Sequence, residues 1–108
     1  MLEELRPTNP MQVGTAKGRI QELVEQCNVN EDEIEVWFIR DGCGQQSVQE
    51  KDKSSVSAYM KQLDMLPDRQ LLSYGENRYP VVHIDLTEKG NGKVIVVVYD
   101  PDRGSLLP

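Results

Sequence analysis

The stretch from residue 81 to residue 99 leaves this chain few folds to choose from. Two β-rich runs, 81–87 and 93–99, flank Glu88-Lys89-Gly90-Asn91-Gly92. The glycines and the asparagine accept the positive φ that a tight reversal needs, so the two runs are expected to pair as an antiparallel hairpin. The second run, Val94-Ile95-Val96-Val97-Val98-Tyr99, is also the longest apolar one in the chain, far short of the ~20 residues that cross a bilayer as a helix. A sheet is required, and the question becomes what covers it.

Residues 33–40 carry a second strand signal. Ile34, Val36 and Phe38 alternate with Glu35, Trp37 and Ile39, the two-residue period of extended chain. Asp41-Gly42 then signals a turn, with 45–50 returning as a polar edge strand. Two helical stripes supply the cover. Val13, Ala16, Ile20, Leu23, Val24 and Cys27 fall on one face of a helix, and Val56, Tyr59, Met60 and Leu63 on one face of another. A start of the first helix near Thr15 is expected, because Gly14 and Gly18 would otherwise sit on its polar side at about 1 kcal/mol each against alanine. Asn28 or Asn30 suits its end, and Ser54 or Ser55 caps the second helix. Pro67 either breaks that helix or opens a short one through Leu72, while 69–74 reads equally well as a strand.

The reading is an α+β fold in the order α-β-β-α-β-β: a mainly antiparallel sheet of about four strands with two amphipathic helices on one face. With 108 residues the chain has enough for one domain, taken as 11–104, with 1–10 as an N-terminal arm and 105–108 as a tail. If the hairpin pairs Val82, Ile84 and Leu86 with Val94, Val96 and Val98, these join Ile34, Val36 and Phe38 as the inner face. Alternation then sends Trp37, Ile39, Val81, His83, Ile95, Val97 and Tyr99 to the other side. That set is too apolar for a solvated face. It is expected to meet a protein partner or a second copy of the chain, with residues 66–79 and the N-terminal arm as the intramolecular alternative.

Charge narrows the partner. Eighteen acids against twelve scattered bases give a net charge of −6, which repels a phosphate backbone and suits a basic protein. The opening residues lack a basic segment followed by an apolar one, and the two cysteines, Cys27 and Cys43, form no close pair. A cytoplasmic location with reduced thiols is expected.

The one arrangement that could carry nucleophilic chemistry is Asp41-Gly42-Cys43-Gly44. Flanking glycines expose a thiol and let backbone N–H groups converge on an oxyanion, with His83 as base and Asp85 beside it. The Gly-Cys-Gly triplet is similar to the surroundings of the nucleophile in chymotrypsin-like viral cysteine proteases, but those need two barrels. A glycine-bearing hairpin loop with an incidental cysteine accounts for the same residues. His83 is the sole histidine, and a metal site needs three or four donors. The alternating oxygen donors at 28–32 and 100–104 lack the later ligands of a calcium loop, and 14–19 departs from phosphate-loop spacing. No metal or cofactor is expected.

The leading expectation is a small acidic interaction module: an adaptor, inhibitor or regulatory subunit. The alternatives are a cysteine-dependent enzyme using Cys43 and His83, and a small-ligand sensor with its ligand against the sheet near Trp37 and His83. Metal independence is checked directly. EDTA should leave the melting temperature unchanged, and a fall reversed by zinc or calcium would refute it.

Overall fold

The first helical stripe forms, but from an earlier residue than expected. In the computed structural model, which describes residues 10–28, 30–42, 48–90 and 92–103, helix α1 spans Val13–Cys27 and ends at Asn28 in the left-handed conformation. Its N-terminus has no side-chain cap. The orphan donors are instead met by backbone: Val13 N–H donates to the Gln70 carbonyl at 2.8 Å and Gly14 N–H to the Asp68 carbonyl at 3.0 Å. A methyl at position 14 would lie 3.3 Å from Asp68 Cβ. Glycine is there because another segment comes this close. Gly18, by contrast, has nothing within 4 Å of a Cβ position.

Helix α2 spans Val56–Asp64, with Ser55 as its N-cap accepting from Ala58 N–H at 3.0 Å. Five strands make the sheet: β1 (Glu35–Arg40), β2 (Lys53–Ser55), β3 (Ser73–Tyr74), β4 (Tyr79–Lys89) and β5 (Gly92–Tyr99), in the spatial order β2-β1-β5-β4-β3. The α+β class and the two helices are as expected, and the sheet is richer. It is mixed, because β1 and β5 run parallel at its centre while the other pairs are antiparallel. Both central strands are apolar on both faces, the pattern of strands flanked by neighbours and covered on each side. The return from β1 comes later than 45–50. Residues 43–47 lie outside the described residues, Glu50–Asp52 is a 3-10 turn, and the edge strand is Lys53–Ser55. Between α2 and β4, the doubtful segment forms turns and the two-residue β3, with no further helix.

The hairpin register overturns the expected division of faces. Lys89 pairs with Gly92, so Leu86 lies opposite Ile95 and Ile84 opposite Val97. A two-residue connection pairs even-numbered residues with odd ones, whereas the loop read from sequence, centred on Gly90, pairs even with even. One residue of slip turns every side chain of β5 over. Ile95 and Val97 are therefore fully buried under the helices, and Tyr99 packs against the same core, which Val81 joins from β4. Val94, Val96 and Val98 go to the other face with Trp37 and Ile39. A bulge between Val81 and His83 keeps both Val81 and Val82 buried.

The main core joins Val13, Ala16, Ile20 and Leu23 of α1 and Val56, Tyr59 and Leu63 of α2 to the inner face of the sheet. Lys17 Nζ, 3.0 Å from Asp64 Oδ1, ties the helices together. The sheet also curls. Phe38 on β1 and Tyr74 on β3 stack at 4.8 Å between ring centroids although β5 and β4 lie between their strands, and a flat sheet would hold them roughly 14 Å apart.

Two substitutions check this packing in urea melts. Leu23→Ala, on the buried side of α1, should cost about 2–5 kcal/mol. Gly18→Ala, in open space, should stabilise by about 0.5–1 kcal/mol; Gly14→Ala should lack that gain because Asp68 already occupies the space.

Candidate functional site

Of the sequence-nominated catalytic residues, His83 and Asp85 come together on β4: His83 Nε2 lies 3.5 Å from Asp85 Oδ2, and both side chains are about half exposed. Cys43 lies outside the described residues. Asp85 is already engaged. Its Oδ1 accepts from Leu86 N–H at 2.8 Å and from Arg19 at 3.2 Å, and Arg19 Nε also donates to the Ile84 carbonyl at 3.1 Å. The Leu86 N–H, followed by His83 and Arg19, holds the Asp85 carboxyl below the usual carboxylate range against the opposing effect of desolvation. This cluster closes the open side of β4. Among the described residues β3 pairs only with Tyr79 and Pro80 of that strand, and further along Arg19 and Asp85 take up the Ile84 carbonyl and the Leu86 N–H.

The second sheet face carries its own small core. Trp37, Ile39, Val94 and Val96 are only 3–8% exposed, with Val48 packed against them. Lys53 Nζ sits 4.7 Å from the Trp37 ring centroid, and Trp37 Nε1–H donates to Glu35 Oε1 at 2.9 Å. Of the residues expected on this face, Trp37 and Ile39 belong to this cluster, and the half-exposed His83 is not part of it. It is not a bare apolar surface. The large apolar residues most exposed among the described residues are Met65 and Leu71 instead.

Two clefts lie among the described residues. The first, about 310 Å³, is lined by Asp32, Glu35 and Glu50 together with Ile34, Lys53, Ser54 and Ser55. It belongs to an acidic end of the molecule that the sequence reading missed. Residues 20–39 contain six acids and no lysine or arginine. All six, Glu22, Glu25, Glu31, Asp32, Glu33 and Glu35, are exposed. Asp32 and Glu35 reach the cleft because the Glu31–Glu33 3-10 turn leads into β1 and Val56 N–H docks on the Ile34 carbonyl, bringing the start of α2 alongside, whereas Glu22 stays on α1, paired with Arg19 at 3.5 Å. The signal was present as a base-free window, which a chain-wide charge total conceals.

The second cleft, about 340 Å³, lies where the curl brings the two sheet edges together, between β2, β3 and α2. Phe38 forms its back, stacked on Tyr74 and met edge-on by Tyr59 at 5.2 Å. Tyr74 donates its hydroxyl proton to the Asp52 carboxylate, linking the β3 side of the seam to the turn before β2. No trio of His, Cys, Asp or Glu among the described residues is placed to hold a metal ion. No helix among them is long and apolar enough to cross a membrane.

Compared with known proteins, the chain matches no protein-family model, no curated protein and no solved structure. The functional reading therefore rests on the geometry alone.

The Asp85 cluster makes a pH prediction. A depressed native pKa stabilises the fold above the unfolded carboxylate value of about 3.9, and the contribution is lost as pH falls through the lower native value. Asp85→Asn lacks it at every pH. The urea midpoints of wild type and variant should differ near neutrality and converge as pH is lowered from about 5 to about 2.

Proposed function

We propose that this chain is a non-catalytic acidic interaction module that binds a basic protein partner at its acidic end. The observation that carries the reading is the cleft lined by Asp32, Glu35 and Glu50, at the margin of a base-free run of exposed acids. Three carboxylates share this hollow with one lysine, and that lysine already pairs with Glu50 at 3.2 Å. Lysine or arginine side chains of a partner would enter a field of opposite sign, which steers encounter and sets register. An interface on the second sheet face, expected from the sequence, is less well supported, since the Trp37 cluster is already buried and offers little new apolar area to a partner.

The reading is tested on partners captured from native lysate with the immobilised chain and then purified. Affinity should fall as ionic strength rises from about 0.01 to about 0.1 M, as the screening length shrinks from about 30 to about 10 Å. Combining Asp32→Asn, Glu35→Gln and Glu50→Gln should weaken binding at least about tenfold, or about 1.4 kcal/mol. The melting temperature should be preserved, since the amide oxygen introduced by Glu35→Gln still accepts from the Trp37 indole. Binding that ignores salt and the triple variant, yet is lost in a folded Trp37→Ala protein, would overturn the acidic site and return the interface to the second sheet face.

A further inference from the structure

The seam cleft holds a polar group that the fold leaves unused. Tyr59, on the buried stripe of α2, is 5% exposed, and its hydroxyl has no hydrogen-bond partner. Buried hydroxyls nearly always find one, and an unmatched one opposes folding unless something else is gained. The sequence could have placed phenylalanine here and kept the edge-on packing against Phe38. Burial pushes the Tyr59 pKa upward, so the group is a neutral O–H donor at physiological pH.

Its surroundings share ring walls and placed polar groups with small-molecule sites. Pockets for such ligands are concave and ring-lined, with a few placed polar groups. Here the rings of Phe38, Tyr59 and Tyr74 line a hollow of about 340 Å³, and Ser54, Gln62 and Ser73 add two hydroxyls and an amide. The charges are mostly engaged. The Lys53 ammonium is turned to Glu50 and the Trp37 ring and Asp52 accepts from Tyr74, which leaves Lys51 as the exposed cation on the cleft's lining.

We propose that the seam cleft binds a small, uncharged, planar heteroaromatic molecule, held against the Phe38, Tyr59 and Tyr74 rings and accepting a hydrogen bond from the Tyr59 hydroxyl. That oxygen has less than 1 Å² open to solvent, although its residue lines the hollow. The ligand reaches it by parting the walls. The bond between Tyr74 and Asp52 joins those walls across the sheet edges, so it governs entry. The site adjoins the acidic cleft, sharing Lys53 and Ser54 with it, but does not rest on the basic-partner reading.

The test uses the full chain with adenine, uracil and nicotinamide as probes, each built on a planar ring and each bearing acceptor atoms. Calorimetry and amide NMR shifts are the readouts. At least one probe should bind, with shifts concentrated at Phe38, Lys51 and residues 73–75. Tyr59→Phe keeps the ring and should weaken that probe about five- to tenfold, with a melting temperature equal to or above wild type. Tyr74→Phe, which keeps the stacking and releases the tie, should bind it at least as tightly as wild type. The proposal is overturned if no probe shifts these amides, or if Tyr59→Phe binds as tightly as wild type. Binding abolished by Tyr74→Phe in a folded protein would also overturn it, since the tie would then be part of the site and not its gate.

Discussion

The parallel pairing of β1 with β5 puts the two strands that are apolar on both faces side by side at the centre of the sheet. Neither could sit at an edge without exposing valine, isoleucine or tryptophan to water. Their pairing creates a main core under the two helices and a smaller one around Trp37 on the other face. The outer strands can then be short and polar. β2 is Lys-Ser-Ser and β3 is Ser-Tyr, and neither has a large inner face to bury. With three residues in one edge strand and two in the other, the sheet is free to curl until its margins meet, and the seam cleft forms where they do.

What could be read from the sequence was local periodicity. Both helices, the Ser55 cap, the Asn28 terminus and the main hairpin follow from spacing and from the conformational preferences of single residues. What could not be read depended on segments far apart in the chain. The start of α1 at Val13 rests on carbonyls of Asp68 and Gln70, so a rule that considers only the cost of glycine in a helix favours Thr15. The faces of β5 depended on one residue in the length of a loop, and residues such as Val94 and Ile95 are too alike to report the slip. The bulge before His83 is equally hidden, since simple alternation along β4 puts Val81 on the face of His83 whereas Val81 joins the core with Ile84. Parallel contact between β1 and β5 spans more than half the chain, and local pattern holds no record of it.

The two clefts divide the polar chemistry of the molecule by kind. The acidic end carries charge at the surface, where it acts at a distance and is weakened by salt. The seam carries hydroxyls and rings in a sheltered place, where contact and shape matter and salt does not. Both lie along β2 and the turn that precedes it, with Lys53 and Ser54 lining each. Lys53 and Ser54 of β2 are thus a wall common to the two clefts.

The guard that Arg19 and Asp85 place on the outer side of β4 bears on how the chain behaves in a crowded solution. Val94-Ile95-Val96-Val97-Val98 has the composition of an amyloid-forming segment: strongly β-prone, uncharged and without proline. In the folded protein that run is enclosed between β1 and β4, and the neighbouring rim is occupied by a guanidinium and a carboxylate where a foreign strand would have to dock. The same five residues are unprotected in any newly made or heat-opened chain. Its lifetime as a dispersed protein is then set by how rarely it unfolds, a matter of rate as much as of equilibrium.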